Sequence, residues 1–218
     1  MTDLLLLHTS PVHVPVFEAL RDRNHPGAVL RHLVVPELLD QARAEGPESV
    51  APALRGLLLA EAAPPGTPGP PGTPVLVTCS TIGAIAESLA PALGAPVLRV
   101  DRPMAAAAVR AGRRIAVLAA LGSTLAPTGE LLAEEAAGRP VSIRTHLVAG
   151  AWERFEAGDT AGYLARVADA ADSVTGADVI VLAQASMAGA AGLVTSPVPV
   201  LSSPAPGLAA GLALRSAA

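Results

Sequence analysis

Cys79 closes the apolar run Val75-Leu76-Val77-Thr78 and is followed by Ser80-Thr81-Ile82-Gly83. A thiol at that address can transfer a proton or attack an electrophile. The run reads as a buried parallel strand and Ala84 to Leu93 as the helix after it. The carboxyl end of such a strand meets a helix start, whose unpaired N–H groups and positive dipole end favour negative charge. Free cysteine also serves as a small inert hydrophobe in protein cores. It is the position of Cys79, rather than its type, that makes it a candidate reactive group.

Other chemistries lack their residues. No proline or arginine follows Cys79 as a sulfatase would need, and Ile85 stands where a cysteine phosphatase loop has its arginine. Ser186 is flanked two positions away by Gln184 and Ala188, so no G-x-S-x-G elbow exists. Neither H-E-x-x-H nor a multi-cysteine cluster is present, and no metal or other cofactor is expected. The histidines His8, His13, His25, His32 and His146 are scattered. Only His8, at the end of the first apolar run, stands where it could serve a site.

The elements that must position these residues alternate along the chain, as in parallel α/β architecture. Strands are expected at Leu4–Leu7, Val29–Val34, Val75–Thr78, Val97–Val100, Ile115–Ala119, Val141–Val148, Val179–Ala183 and Val198–Leu201. Helices are expected at Val14–Arg23, Pro36–Glu45, Val50–Glu61, Ala84–Leu93, Met104–Ala111, Thr128–Ala137, Ala151–Glu156 and Thr160–Val174, with a closing helix over Gly207–Arg215. The proline-rich segment Ala63–Pro74 reads as a stiff surface connection; interleaved prolines make its glycines a poor phosphate cradle. Trp152, Phe155 and Tyr163 are spaced for packing, and Asp101 with Arg102 reads as a hinge ion pair or cap.

With 218 residues the chain can form one large domain or two of about half that length. Hydrophobic residues make up 51% and aromatics 2%, so Ala, Leu and Val must build the core. A net charge of -4 without a basic stripe argues against nucleic acid and acidic lipid surfaces. The Leu4–Leu7 run lacks the basic flank and cleavage site of a signal peptide, and no apolar window is long enough for a membrane helix. One cysteine makes no internal disulfide, so a cytoplasmic protein is expected. A homo-oligomer is compatible with this composition.

The second series of elements parallels the first. Val75-Leu76-Val77-Thr78-Cys79-Ser80-Thr81 aligns with Ile180-Val181-Leu182-Ala183-Gln184-Ala185-Ser186, and each is followed by an expected small-residue helix and then a short proline-flanked strand. In that pairing Cys79 answers to Gln184.

This duplicated pattern resembles the aspartate/glutamate racemase superfamily, which includes hydantoin racemases, maleate isomerases and arylmalonate decarboxylases. Val75 to Thr81 is similar to the family's first cysteine motif, while Gln184-Ala185-Ser186-Met187 stands where the second cysteine motif would fall. The resemblance implies two pseudo-symmetric parallel α/β domains facing a central cleft: residues 1–102 with 204–218 carrying Cys79, and residues 103–203 carrying Gln184. It implies a cofactor-independent racemase or isomerase acting on a small carboxylate, hydantoin or related carbon acid. Cys79 would be the proton-transfer thiol. Thr9, Ser10, Ser80, Thr81, Ser123, Thr124, Gln184 and Ser186 would bind the substrate and its enolate-like charge, or cap helices and turns. His8 would be the second acid or an orienting group. Glutamine exchanges no proton at neutral pH, so a symmetric two-thiol racemisation does not fit. Single-cysteine decarboxylases in the family deliver a proton from one face, their cysteine lying in the second half; a malonate-like substrate is the alternative. A non-catalytic small-molecule binder is the third reading.

Overall fold

Strands that are apolar along their whole length have no face to give to water, and the chain buries them in parallel sheets covered by helices. The computed structural model describes residues 3–62 and 72–214, and most of the expected proline-rich connection lies outside them. The chain divides into two compact units, Met1–Val100 with Pro204–Ala218, and Asp101–Ser203.

The first unit runs β1 (Leu4–His8), α1 (His13–Asn24), β2 (Leu30–Val34), α2 (Glu37–Glu45), a 3-10 turn (Pro47–Val50), α3 (Ala51–Ala62), β3 (Val75–Val77), α4 (Ser80–Ser88), α5 (Ala90–Leu93) and β4 (Val97–Arg99). Its four strands are parallel in the order β2-β1-β3-β4, with Leu5 beside Val75 and Leu7 beside Val77. Strand alternation sends Leu5, Leu7, Val75 and Val77 to one side, against Leu38, Val50, Leu54, Leu58 and Ile82. Leu4, Leu6 and Leu76 go to the other side, against Phe17 of α1. The two helices that follow β1 and β3 therefore cover opposite faces.

The second unit contains α6 (Arg102–Ala111), β5 (Arg114–Ala119), a 3-10 turn (Gly122–Thr124), α7 (Leu125–Ala136), β6 (Ser142–Leu147), α8 (Ala151–Glu156), α9 (Thr160–Asp172), β7 (Val179–Leu182), a 3-10 stretch (Ala185–Gly192) and β8 (Val200–Ser202). Its parallel order β6-β5-β7-β8 repeats that of the first sheet. Met104, Val117, Leu131 and Val181 fill one side of it and Leu118, Tyr163, Val167 and Ile180 the other. Arg102 bonds Glu134 and Glu135 of α7, joining the first two helices of this unit. Helix α10 (Pro204–Ala213) returns to the first unit, where Gly207 packs so close that a Cβ would lie 2.5 Å from the Val100 carbonyl oxygen.

The fold is thus α/β with two four-stranded parallel sheets, as the alternation of segments implied. Three elements differ from expectation. Helix α4 begins at Ser80 rather than Ala84, and the stretch to Leu93 is broken at Leu89 before Pro91. Helix α7 begins at Leu125, because Pro127 sits in its first turn, where a missing N–H costs nothing. The small residues after β7 wind as 3-10 rather than α-helix, with Gly189 packed where a Cβ would lie 2.9 Å from Leu164. Among the described residues no helix is long and apolar enough to cross a membrane.

Candidate functional site

The order β2-β1-β3-β4 places a topological switch between β1 and β3, since their following helices leave toward opposite faces. Such a switch opens a crevice at the strands' carboxyl ends, where open parallel sheets take their ligands. Cys79 lies there. It has extended backbone angles, φ -108° and ψ 116°, occupies the N-cap position of α4, and is 8% exposed. Ser80 and Thr81, both buried, form the first turn of α4. Continuing the β1–β3 register past Leu7 and Val77 brings Thr9 alongside Cys79, with Ser10 next in the turn to α1. The structure therefore gathers Thr9, Ser10, Cys79, Ser80 and Thr81 at one strand-end crevice. The Cys79 side chain also belongs to the apolar cluster containing Ile82 and Ile85.

His8 points to the opposite face of the sheet from Cys79 and is fully buried. Its Nδ1 lies 2.8 Å from the Thr78 hydroxyl, and its Nε2 lies 2.8 Å from His32 Nδ1. His32 Nε2 in turn reaches Glu18 Oε1 at 2.8 Å. Two proton arrangements satisfy every link. In one, Thr78 donates to His8, His8 to His32, and His32 to Glu18. In the other, Thr78 donates to the Leu7 carbonyl, 3.1 Å away, and every ring link reverses except the last, which requires one more proton on His32. Burial, aided by charge on His13 and His32, pushes the His8 pKa down to about 3. A neutral ring with both nitrogens engaged orients Thr78, the residue before Cys79.

In the second unit the corresponding switch lies between β5 and β7, and here the mouth is filled from within. Gln184 Oε1 accepts N–H bonds from Ala120 at 2.6 Å and Leu121 at 3.1 Å, fixing the amide's orientation so that its NH2 points away from that loop. Ser186 bonds the hydroxyl of Tyr163, 2.8 Å away, and burial pushes that phenol up to about 12. Ser123 and Thr124 form the 3-10 turn beside Gln184. The oxygen of Gln184 and the hydroxyl of Ser186 are thus held by the unit itself. A specific test separates the two ends of that amide. Gln184→Glu, which keeps an acceptor for both N–H groups, should leave the urea midpoint nearly unchanged, whereas Gln184→Leu should cost about 1–3 kcal/mol.

His13, His32, Glu18, Thr78 and Tyr163 carry interactions that sequence reading did not assign. Among the described residues no group of three or more His, Cys, Asp or Glu is arranged to hold a metal ion. The nitrogens of His8 and His32 are instead spent on hydrogen bonds.

A family model described as Asp/Glu/Hydantoin racemase matches residues 14–210. Among solved structures, aspartate racemase from Picrophilus torridus superposes with a TM-score of 0.66 at 14% identity, covering 98% of this chain and 94% of that one. Allantoin racemase from Pseudomonas fluorescens gives 0.61 at 15%, covering 98% and 91%. Arylmalonate decarboxylase gives 0.51 at 18%, covering 97% and 92%. A search of curated proteins returned no match.

Proposed function

The chain belongs to the Asp/Glu/hydantoin racemase family, and on that footing we propose that it is a cofactor-independent enzyme moving a proton at the carbon next to a carboxylate or carbonyl of a small molecule, with Cys79 as the proton-transfer thiol. The observation that carries this reading is the address of Cys79, at the N-cap of α4 in the crevice between β1 and β3. There a base needs its negative charge tolerated and the developing enolate needs donors aimed at it. The first turn of α4 offers backbone N–H groups, and Thr9, Ser10, Ser80 and Thr81 offer hydroxyls. The substrate in this reading is a small carboxylate or related carbon acid, and the enzyme a cytoplasmic one.

One observation favours a second reading. The position matched to Cys79 holds Gln184, whose oxygen is bonded by two backbone N–H groups and which carries no exchangeable acid at neutral pH. Decarboxylation of a malonate-like acid needs one proton donor rather than two. Incubating aspartate, glutamate, a hydantoin and an arylmalonate with the protein in heavy water separates the readings. Loss of the α-proton signal without carbon dioxide release supports the racemase or isomerase; carbon dioxide release with deuterium at the new centre supports the decarboxylase. Neither, for every acid tried, would leave only a binding role.

A further inference from the structure

The second unit carries a cavity away from its strand-end mouth. It has a volume of about 290 Å³, near the lower end of small-molecule pockets, and lies between the edge strand β6 and the end of α9. Leu118, Val148, Ala170 and Val174 line it, all from the apolar cluster on that side of the sheet. Strand alternation sets Arg144 and His146 on one face of β6, and both line the same cavity. Arg144 Nη2 donates to the Thr175 carbonyl at 2.5 Å, which ties the guanidinium to the turn after α9. Among the described residues the Arg144 side chain makes no other hydrogen bond or ion pair, and the His146 ring makes none. The carbonyls of Asp169 and Ala171, at the end of α9, are taken by Ser173 and Val174 and do not compete for Arg144. Asp172, the nearest acid along the chain, is turned to Thr195 and Ser196. Acidic residues outnumber basic ones 19 to 15, and Arg21, Arg31, Arg102, Arg114 and Arg154 are each paired with a carboxylate. Arg144 faces the cavity without one.

We propose that this cavity binds a small carboxylate with a compact apolar body, the carboxylate on the Arg144 guanidinium beside His146 and the body on Leu118, Val148, Ala170 and Val174. The guanidinium keeps its charge and offers parallel N–H groups that match the two oxygens of a carboxylate, and the His146 ring adds an N–H of its own. The apolar lining gives nothing to phosphate or sulfate, which have no apolar surface to bury, and the arginine gives little to a neutral ligand of the same shape. Every lining residue belongs to the second unit, so the site is separate from Cys79 and stands whether or not the thiol moves protons.

The test uses the full chain, labelled at its Leu and Val methyl groups and at arginine Nε, with benzoate, benzamide and inorganic phosphate as probes in NMR titrations. The methyl signals of Leu118, Val148 and Val174 report this cavity, so a carboxylate bound beside Cys79 is read separately. Benzoate should shift those methyls and the Arg144 Nε–H together and saturably, and should bind about five-fold or more tighter than benzamide or phosphate. Arg144→Gln should weaken benzoate by about five- to ten-fold. It should leave the urea midpoint unchanged, because the side chain is exposed. Ala170→Leu, which builds out from α9 over the apolar lining, should weaken benzoate as well. Benzamide or phosphate bound as tightly as benzoate, unchanged affinity in either variant, or no saturable shift at millimolar benzoate would each overturn the inference.

Discussion

Cys79→Ser should lose about 10²–10⁴-fold in kcat/KM on whichever carbon acid the protein turns over, while remaining folded. The hydroxyl is nearly isosteric with the thiol but is a far weaker acid, so almost none of it is available as a base near neutral pH. Cys79→Ala should lose as much activity, because proton transfer rather than bulk is what disappears. The alternative, a thiol that merely fills the cluster with Ile82 and Ile85, makes the reverse forecast. In that case the serine variant, which places a hydroxyl against apolar neighbours, would lose stability on the order of 1 kcal/mol or more and keep its rate. Measuring both the urea midpoint and α-proton exchange in heavy water on the same two variants decides between them. Activity that survives in the alanine variant would remove Cys79 from the mechanism.

Acid should unfold the first unit through its histidines. His8 is held at about 3 and His13 at about 4, both chiefly by burial, whereas an exposed histidine titrates near 6.5. Between those values the unfolded chain binds two protons that the folded chain refuses. Stability is therefore complete above about pH 6.5 and falls as the pH drops toward 4 and then 3, by up to about 2.7 kcal/mol per pH unit while both groups contribute. Against a total of roughly 5–15 kcal/mol, that is enough to unfold a domain within a few units. Urea melts at a series of pH values measure it. His13→Phe should flatten the slope by about one proton, and it should also ease His8, since charge on His13 is one of the causes that depress it. A profile that is flat from pH 7 to 4 would contradict the buried-cluster account.

Apolar runs made the strands legible. Leu4–Leu7, Val75–Val77 and Val179–Leu182 could be read because buried parallel strands carry no polar alternation to confuse with anything else. The start of α4 was harder: Thr81, Ile82 and Gly83 are poor helix formers, and only packing against β4, where Gly83 lies close to Arg99, makes them helical. Cys79 and its hydroxyl neighbours could be placed because strand end and helix start are local facts. The chain from Glu18 through His32 and His8 to Thr78 could not, since its members come from four elements brought together by the sheet. Sequence spacing likewise says nothing of the Gln184 oxygen, whose partners lie 63 and 64 residues away. His13 looked like one scattered histidine among several until burial singled out one of its nitrogens.

The lone thiol at the N-cap of α4 has a stereochemical consequence. A carbanion that regains its proton from the group that took it keeps the handedness of the starting acid. Reliance on Cys79 alone would therefore write deuterium into a substrate with retention, and would make a decarboxylated product of a single hand. Inversion would need a second proton source, so the optical rotation of the product reports on whether one thiol, seated at the start of a helix, does the whole of the proton transfer.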